Sequence, residues 1–138
     1  GLPWVDPDRV YLGSHGTGGT LAELVAAQTD RYRGVVAFGA VAAPAASYPA
    51  FVHDDLSRPK AWEVRAPKYW VRDIVTPTLV VEGFTGRGVM DLAVVRGMDL
   101  PRLKTHLVDG SDVVTALVSV HETLANAIVD DVPLFDAL

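Results

Sequence analysis

A chain of 138 residues with no cysteine and a formal charge of −5 excludes several chemistries before any motif is read. Without thiols there are no disulfides, thiolate metal sites or cysteine nucleophiles, and the interspersed acids and bases leave no basic footprint for nucleic acid. No apolar run reaches the ~18 residues of a membrane span, and the first residues, which begin at Gly1 rather than Met, hold no signal-peptide pattern. The compartment therefore stays open. The length is that of a single domain, 1–138, able to bury about two-thirds of its unfolded surface. Its 49% hydrophobic content is generous for that size and predicts apolar surface beyond one core, as an interface would need.

Asp6-Pro7-Asp8 is a turn, since proline and flanking aspartates favour one. Arg9 to Ser14 reads as a buried strand running into the glycine-dense corner Gly13-Ser14-His15-Gly16-Thr17-Gly18-Gly19. From Gly18 or Gly19 to Gln28, the residues Leu21, Leu24, Val25 and Ala27 form a helical stripe, which Thr29-Asp30 closes. Gly34 to Ala40 is a second strand, and its near-continuous apolar character fits a parallel strand covered on both faces. Residues 41–75 are expected to form a cap-like irregular insertion. Its first part holds Pro44, Pro49, Pro59 and His53-Asp54-Asp55. Its second gathers Trp62, Tyr69 and Trp70, which with Trp4 are expected to act as packing anchors.

Thr76 to Gly83 is the clearest later strand, its proline permitted near the start. Gly86 to Met98 is helical, striped by Val89, Leu92, Val95 and Met98. Leu103 to Val108 is a fourth strand. Val113 to Val129 is a long closing helix with Leu117, Val120, Leu124 and Ile128 three or four apart. The order β-α-β-cap-β-α-β-α implies an α/β class, a three-layer α/β/α arrangement with about four parallel strands.

Strand, sharp turn and helix at the carboxyl end of a parallel strand is where such sheets place their working atoms. The corner is not a nucleotide fingerprint. Its glycines do not fall as Gly-x-Gly-x-x-Gly, the next strand ends in Gly39-Ala40 without an acidic ribose ligand, and no Gly-Lys-Ser/Thr follows. Small-anion binding at the free N–H groups of the helix start remains a weaker alternative. His53-Asp54-Asp55 reads as a solvated acidic loop, because no matching ligand cluster stands elsewhere. His106 and His121 carry no ligand pattern. Glu82, at the end of its strand, stands at the right rim for a functional role, and equally for a structural one that caps or hydrogen-bonds the corner. No metal or cofactor is expected.

Several stretches resemble the C-terminal half of an α/β-hydrolase, most closely the prolyl-oligopeptidase-like (S9) branch. Asp6-Pro7-Asp8-Arg9-Val10-Tyr11-Leu12 is similar to that family's lead-in to the nucleophile elbow, and Gly18-Gly19-Thr20-Leu21 to the residues just after it. Ala66-Pro67, Ile74 and Thr76 to Gly83 resemble the entry to the strand before the catalytic acid. Val108-Asp109-Gly110-Ser111-Asp112 resembles the loop carrying the catalytic histidine.

The resemblance implies the fold, yet its chemistry is vacant at each step. Against Gly-His-Ser-x-Gly-Gly, the first glycine falls on Ser14, the histidine on His15, the nucleophile on Gly16 and the last glycines on Gly18 and Gly19. The acid falls on Thr85 or Gly86 and the histidine on Val113. A triad acts as a unit, so a catalytically silent domain with a binding or assembly role is the expectation. The alternative is a serine esterase or peptidase completed by another half or acting through Ser14. The family's earlier strands lie outside this segment, so the Arg9–Ser14 strand becomes an edge. That edge is expected to pair in a homo-oligomer or with another polypeptide.

Overall fold

The computed structural model of the chain describes residues 2–44, 58–86, 88–109 and 112–138. Four β-branched and apolar runs pair side by side, all parallel and in chain order: β1 (Tyr11–His15), β2 (Gly34–Phe38), β3 (Thr78–Gly83) and β4 (Leu103–Val108). Every residue of β2 and β3 is buried, as the continuous apolar runs require of strands covered on both faces. The register aligns His15 with Phe38, Phe38 with Val81 and Val81 with His106, so the carboxyl ends form one common rim.

The crossover helix α1 (Thr17–Ala26), between β1 and β2, covers one face of the sheet. After it in the chain come the short α2 (Pro59–Glu63) and then α3 (Val89–Arg96), which joins β3 to β4 on the same face as α1. Ala22, Ala26, Val35, Val80, Leu92 and Val95 form the core there. The opposite face is covered by α4 (Val113–Val129) and α5 (Leu134–Ala137), with Val36, Phe38, Leu79, Val81, Val120 and Leu124 packed between. The expected three-layer α/β/α architecture with four parallel strands is present.

Local chemistry sets the element ends. Asp112 caps α4, its Oδ1 accepting from the Thr115 N–H at 2.8 Å and from Thr115 Oγ1 at 2.9 Å. Those donors hold the Asp112 carboxyl below its ordinary range. At the other end of α4, Arg9 Nη2 donates to the carbonyls of Ile128 (2.5 Å) and Val129 (3.0 Å). A guanidinium among the terminal carbonyls complements the helix dipole and ties the start of β1 to the last long helix.

Several boundaries shift from the sequence expectation. Pro7–Arg9 is a 3-10 turn, so β1 begins at Tyr11 rather than Arg9 and runs on to His15. The second strand stops at Phe38 because Gly39 turns the chain at φ 59°. Between β2 and β3, α2 is followed by 3-10 turns at Pro67–Tyr69 and Val71–Asp73, while His53-Asp54-Asp55 and Pro49 lie outside the described residues. Trp70 is anchored, its Nε1 donating to the Glu63 carbonyl at 2.7 Å, but Trp4 is 76% exposed and is not packed as the expected anchor.

The largest correction concerns α1. Its inward face is Gly19, Thr20, Ala22, Glu23 and Ala26, and Leu21 is 62% exposed. The helix lies too close to the sheet for a leucine: a Cβ on Gly19 would stand 2.8 Å from the Phe38 carbonyl oxygen. Small residues therefore select the buried side, and Glu23 goes in with them at 6% exposure. Burial, and secondarily the charge of Asp91, pushes the Glu23 carboxyl from 4.5 up to about 8.

Glu23 thus binds its proton more tightly when folded. Its contribution is fully present below the unfolded value near 4.5 and is lost as pH rises toward about 8. Urea unfolding between these limits is expected to show stability falling by at most roughly 1.4 kcal/mol per pH unit. The Glu23→Gln variant should flatten that slope and be the more stable protein at the alkaline end. An unchanged slope in the variant would remove Glu23 as its source.

Candidate functional site

The carboxyl rim is built from three strand exits. The first is the corner after β1. Gly16 sits between β1 and α1 at φ 60°, ψ −127°, a combination that only glycine adopts without strain. Its N–H donates to the Phe38 carbonyl at 2.8 Å, which locks the corner onto β2. A Cβ built on Gly16 meets nothing within 4 Å, so the position faces open space.

Strand alternation sends the neighbouring Ser14 and His15 to opposite faces of the sheet. Ser14 lies beneath the first turn of α1, where a Cβ on Gly18 would come within 2.5 Å of its Oγ. His15 is exposed. The two side chains flanking the corner are therefore not brought together.

The second exit follows β3. Glu82, 1% exposed, ends that strand with its carboxylate in a backbone cradle. Oε1 accepts from the Gly83 N–H at 2.9 Å and Oε2 from the Gly88 N–H at 3.1 Å. Gly88 is the N-cap of α3, so Glu82 caps that helix rather than the β1 corner. Burial raises its carboxyl above the ordinary value, against the hydrogen bonds from Gly83 and then Gly88, and last the charge of His15.

The cradle depends on glycine. A Cβ on Gly86 would run into Glu82 Oε1, and one on Gly88 into Glu82 Oε2 and the Ala40 carbonyl. Gly86 and Gly88 therefore both lie against the carboxylate, and α3 starts at Val89, later than the expected Gly86. Thr85 is exposed beside it. The third exit follows β4, where Val113 is the first residue of α4, directly after its cap Asp112.

Sequence reasoning missed the fastening between these exits. Thr20 Oγ1 accepts from the Val41 N–H at 3.1 Å, and Asp91 Oδ2 accepts from the Ala42 N–H at 2.9 Å. Both side chains come from helices and hold the backbone leaving β2. The only signal in the sequence was a polar residue breaking each apolar stripe. Among the described residues no group of three or more His, Asp or Glu side chains could hold a metal, and no helix is long and apolar enough to cross a membrane. His121 is on the outside of α4, its Nδ1 donating to the Val118 carbonyl at 2.6 Å, and His106 is half-buried in β4.

The chain matches no protein-family model and no curated protein sequence. Solved structures do resemble it. Acylaminoacyl peptidase from Pyrococcus horikoshii superposes with a TM-score of 0.60 at 13% identity, over 80% of this chain and 20% of that one. A puromycin-hydrolyzing peptidase from Mycobacterium tuberculosis gives 0.66 at 16% identity, over 94% of this chain and 22% of that one. 2,6-Dihydroxy-pseudo-oxynicotine hydrolase gives 0.65 at 17% identity, over 99% of this chain and 42% of that one. The fold is thus a partial α/β-hydrolase fold, and the chain spans about a fifth of the length of the two peptidases.

The cradle makes a prediction about coupling. Glu82→Ala should cost about 2–4 kcal/mol in chemical denaturation, from the lost cap and the space left behind. Gly86→Ala alone should cost about 1–3 kcal/mol through overpacking. In the Glu82→Ala background the Gly86 substitution should become nearly free. Simple additivity of the two in a double-mutant cycle would show that the carboxylate is not what excludes a side chain at position 86.

Proposed function

We propose that this α/β-hydrolase-like domain is catalytically silent and serves in binding or assembly. The observation that carries the reading is Gly16. It stands at the strand-to-helix corner, in a backbone conformation suited to an exposed nucleophile, with open space where the side chain would be. The α/β-hydrolase elbow holds its serine in such a strained turn. Glycine keeps the turn while removing both the attacking oxygen and about 1–3 kcal/mol of strain.

The other two vacancies fit. On this reading Gly86 stands for the acid, and its neighbour Glu82 occupies the room a side chain there would need. Val113 stands for the histidine, in the first position of α4. The alternative through Ser14 is disfavoured, because that hydroxyl packs under α1 and faces away from His15. The small-anion alternative rests only on the start of α1, and nothing else at the corner adds to it.

The assembly role rests on β1. Its outer edge is free among the described strands, and Tyr11-Leu12-Gly13-Ser14-His15 contains no lysine, proline or bulge of the kind that guards an edge. The opposite edge, β4, carries the exposed Lys104. A strand of a second copy, or of another polypeptide, completes the sheet at β1.

A fluorophosphonate probe is expected to label no serine, and p-nitrophenyl acetate is expected to hydrolyse at the buffer rate. The Gly16→Ser variant should fold and remain inactive, because one member of a triad does not restore the unit. Stoichiometric labelling of Ser14, or turnover by the unaltered chain, would overturn the silent reading. Sedimentation at micromolar concentration should show self-association that Gly13→Lys abolishes. A monodisperse monomer would count against pairing with a second copy, and strand exchange with another polypeptide would then be the form left to test.

A further inference from the structure

The amino-terminal end of the sheet, opposite the rim, carries a second built feature. A hollow of about 270 Å³ lies between the starts of the strands and the last short helix. Its lining is mostly apolar, with Tyr11, Pro77 and Phe135 among the residues, and two guanidinium residues, Arg33 and Arg102, line the same space. No carboxylate residue lines it. In a chain of net charge −5 that local excess of positive charge is unexpected.

The sheet register explains how the two arginines come together. Val35 pairs with Thr78 and Thr78 with Leu103, so Gly34, Pro77 and Arg102 lie in one row, with Arg33 one residue further back. Their backbones are about two strand spacings apart, roughly 10 Å, and flank Pro77. Each is pinned: the Arg33 N–H donates to the Val10 carbonyl at 2.8 Å, and the Arg102 carbonyl accepts from the Thr78 N–H at 2.8 Å. Gly34 keeps the floor low, since a Cβ there would stand 2.7 Å from Leu134 Cδ1.

The charges are only partly answered. Arg33 Nε is 3.5 Å from Asp131 Oδ1, in a half-exposed pair of the kind that contributes little. Among the described residues no carboxylate lies within ion-pair distance of Arg102. A wider hollow of about 600 Å³ continues from the same Arg33, Pro77 and Arg102, and there Arg31 adds a third guanidinium against Asp8 and Asp30. The two hollows share Arg33 and Arg102, and the acids Asp8 and Asp30 line only the wider one.

We propose that this hollow binds a small organic anion: a flat apolar body on Tyr11, Pro77 and Phe135, with a carboxylate or phosphate held between Arg33 and Arg102. Guanidinium forks suit planar or tetrahedral anionic oxygens, and an apolar body supplies the area that a bare ion lacks. The site is independent of the carboxyl rim and of whether that rim is silent.

The test uses the whole chain and nuclear magnetic resonance titration with phenyl phosphate, benzoate and the neutral benzyl alcohol. Phenyl phosphate or benzoate should give saturable shifts at Gly34 and Leu134, and comparison of the two decides which head group is preferred. Arg102→Gln should weaken binding about ten-fold and Arg102→Lys less, because lysine keeps the charge without the fork. Arg102 is exposed and pairs with no carboxylate among the described residues, so both variants should keep the parent melting temperature. Absence of saturable shifts, equal binding of benzyl alcohol, or unweakened binding by a folded Arg102→Gln protein would each overturn the proposal.

Discussion

Close passage of backbone against backbone at the carboxyl rim governs this structure. Gly19 lies against the Phe38 carbonyl, and Gly88 against the Ala40 carbonyl. Neither approach leaves room for a side chain. The two contacts bring α1 and α3 down onto the chain leaving β2, where Thr20 and Asp91 take the N–H groups of Val41 and Ala42. Helix height in turn decides which residues face inward. This is why Thr20 and Glu23 are buried while Leu21 is not, and why a carboxyl inside the core holds its proton to about pH 8.

What the sequence made legible follows from the strength of each local signal. Continuous apolar runs at Gly34–Phe38 and Thr78–Gly83 have no amphipathic alternative, so both buried strands and their parallel pairing could be read directly. The closing helix was legible for the same reason, its three-and-four spacing sustained from Val113 to Val129. The phase of α1 was not. Hydropathy ranks leucine above glycine and threonine, but proximity to the sheet reverses that order when the inward face must be small. The start of α3 was also misplaced, because Gly86 and Gly88 serve Glu82, a partner that periodicity does not reveal.

The rim was legible in part. The glycine-dense corner announced a strand-to-helix turn, and Gly16 occupies it with the unusual backbone that such a turn demands. For Glu82 the sequence left a functional and a structural role open, and in the structure its carboxylate accepts from the Gly83 and Gly88 N–H groups at the start of α3 rather than from the β1 corner. Ser14 shows how adjacency in sequence misleads in a strand. It and His15 are neighbours along the chain and face opposite ways, since successive side chains alternate.

A cradle like that of Glu82 bears on how a hydrolase-like rim could lose its chemistry and keep its shape. Active sites hold strained turns and polar groups at some cost in stability, and selection retains them only for function. On the silent reading each change at this rim runs toward relief. Glycine at position 16 accepts the positive φ, and the room that a residue at 86 would claim is filled by a carboxylate satisfied by two N–H groups. Reversal is then asymmetric. A serine returns to the open corner with only backbone strain against it, whereas an acid at 86 must first displace Glu82 and uncap α3. On the silent reading the acid position, rather than the nucleophile position, is the structural barrier to a triad.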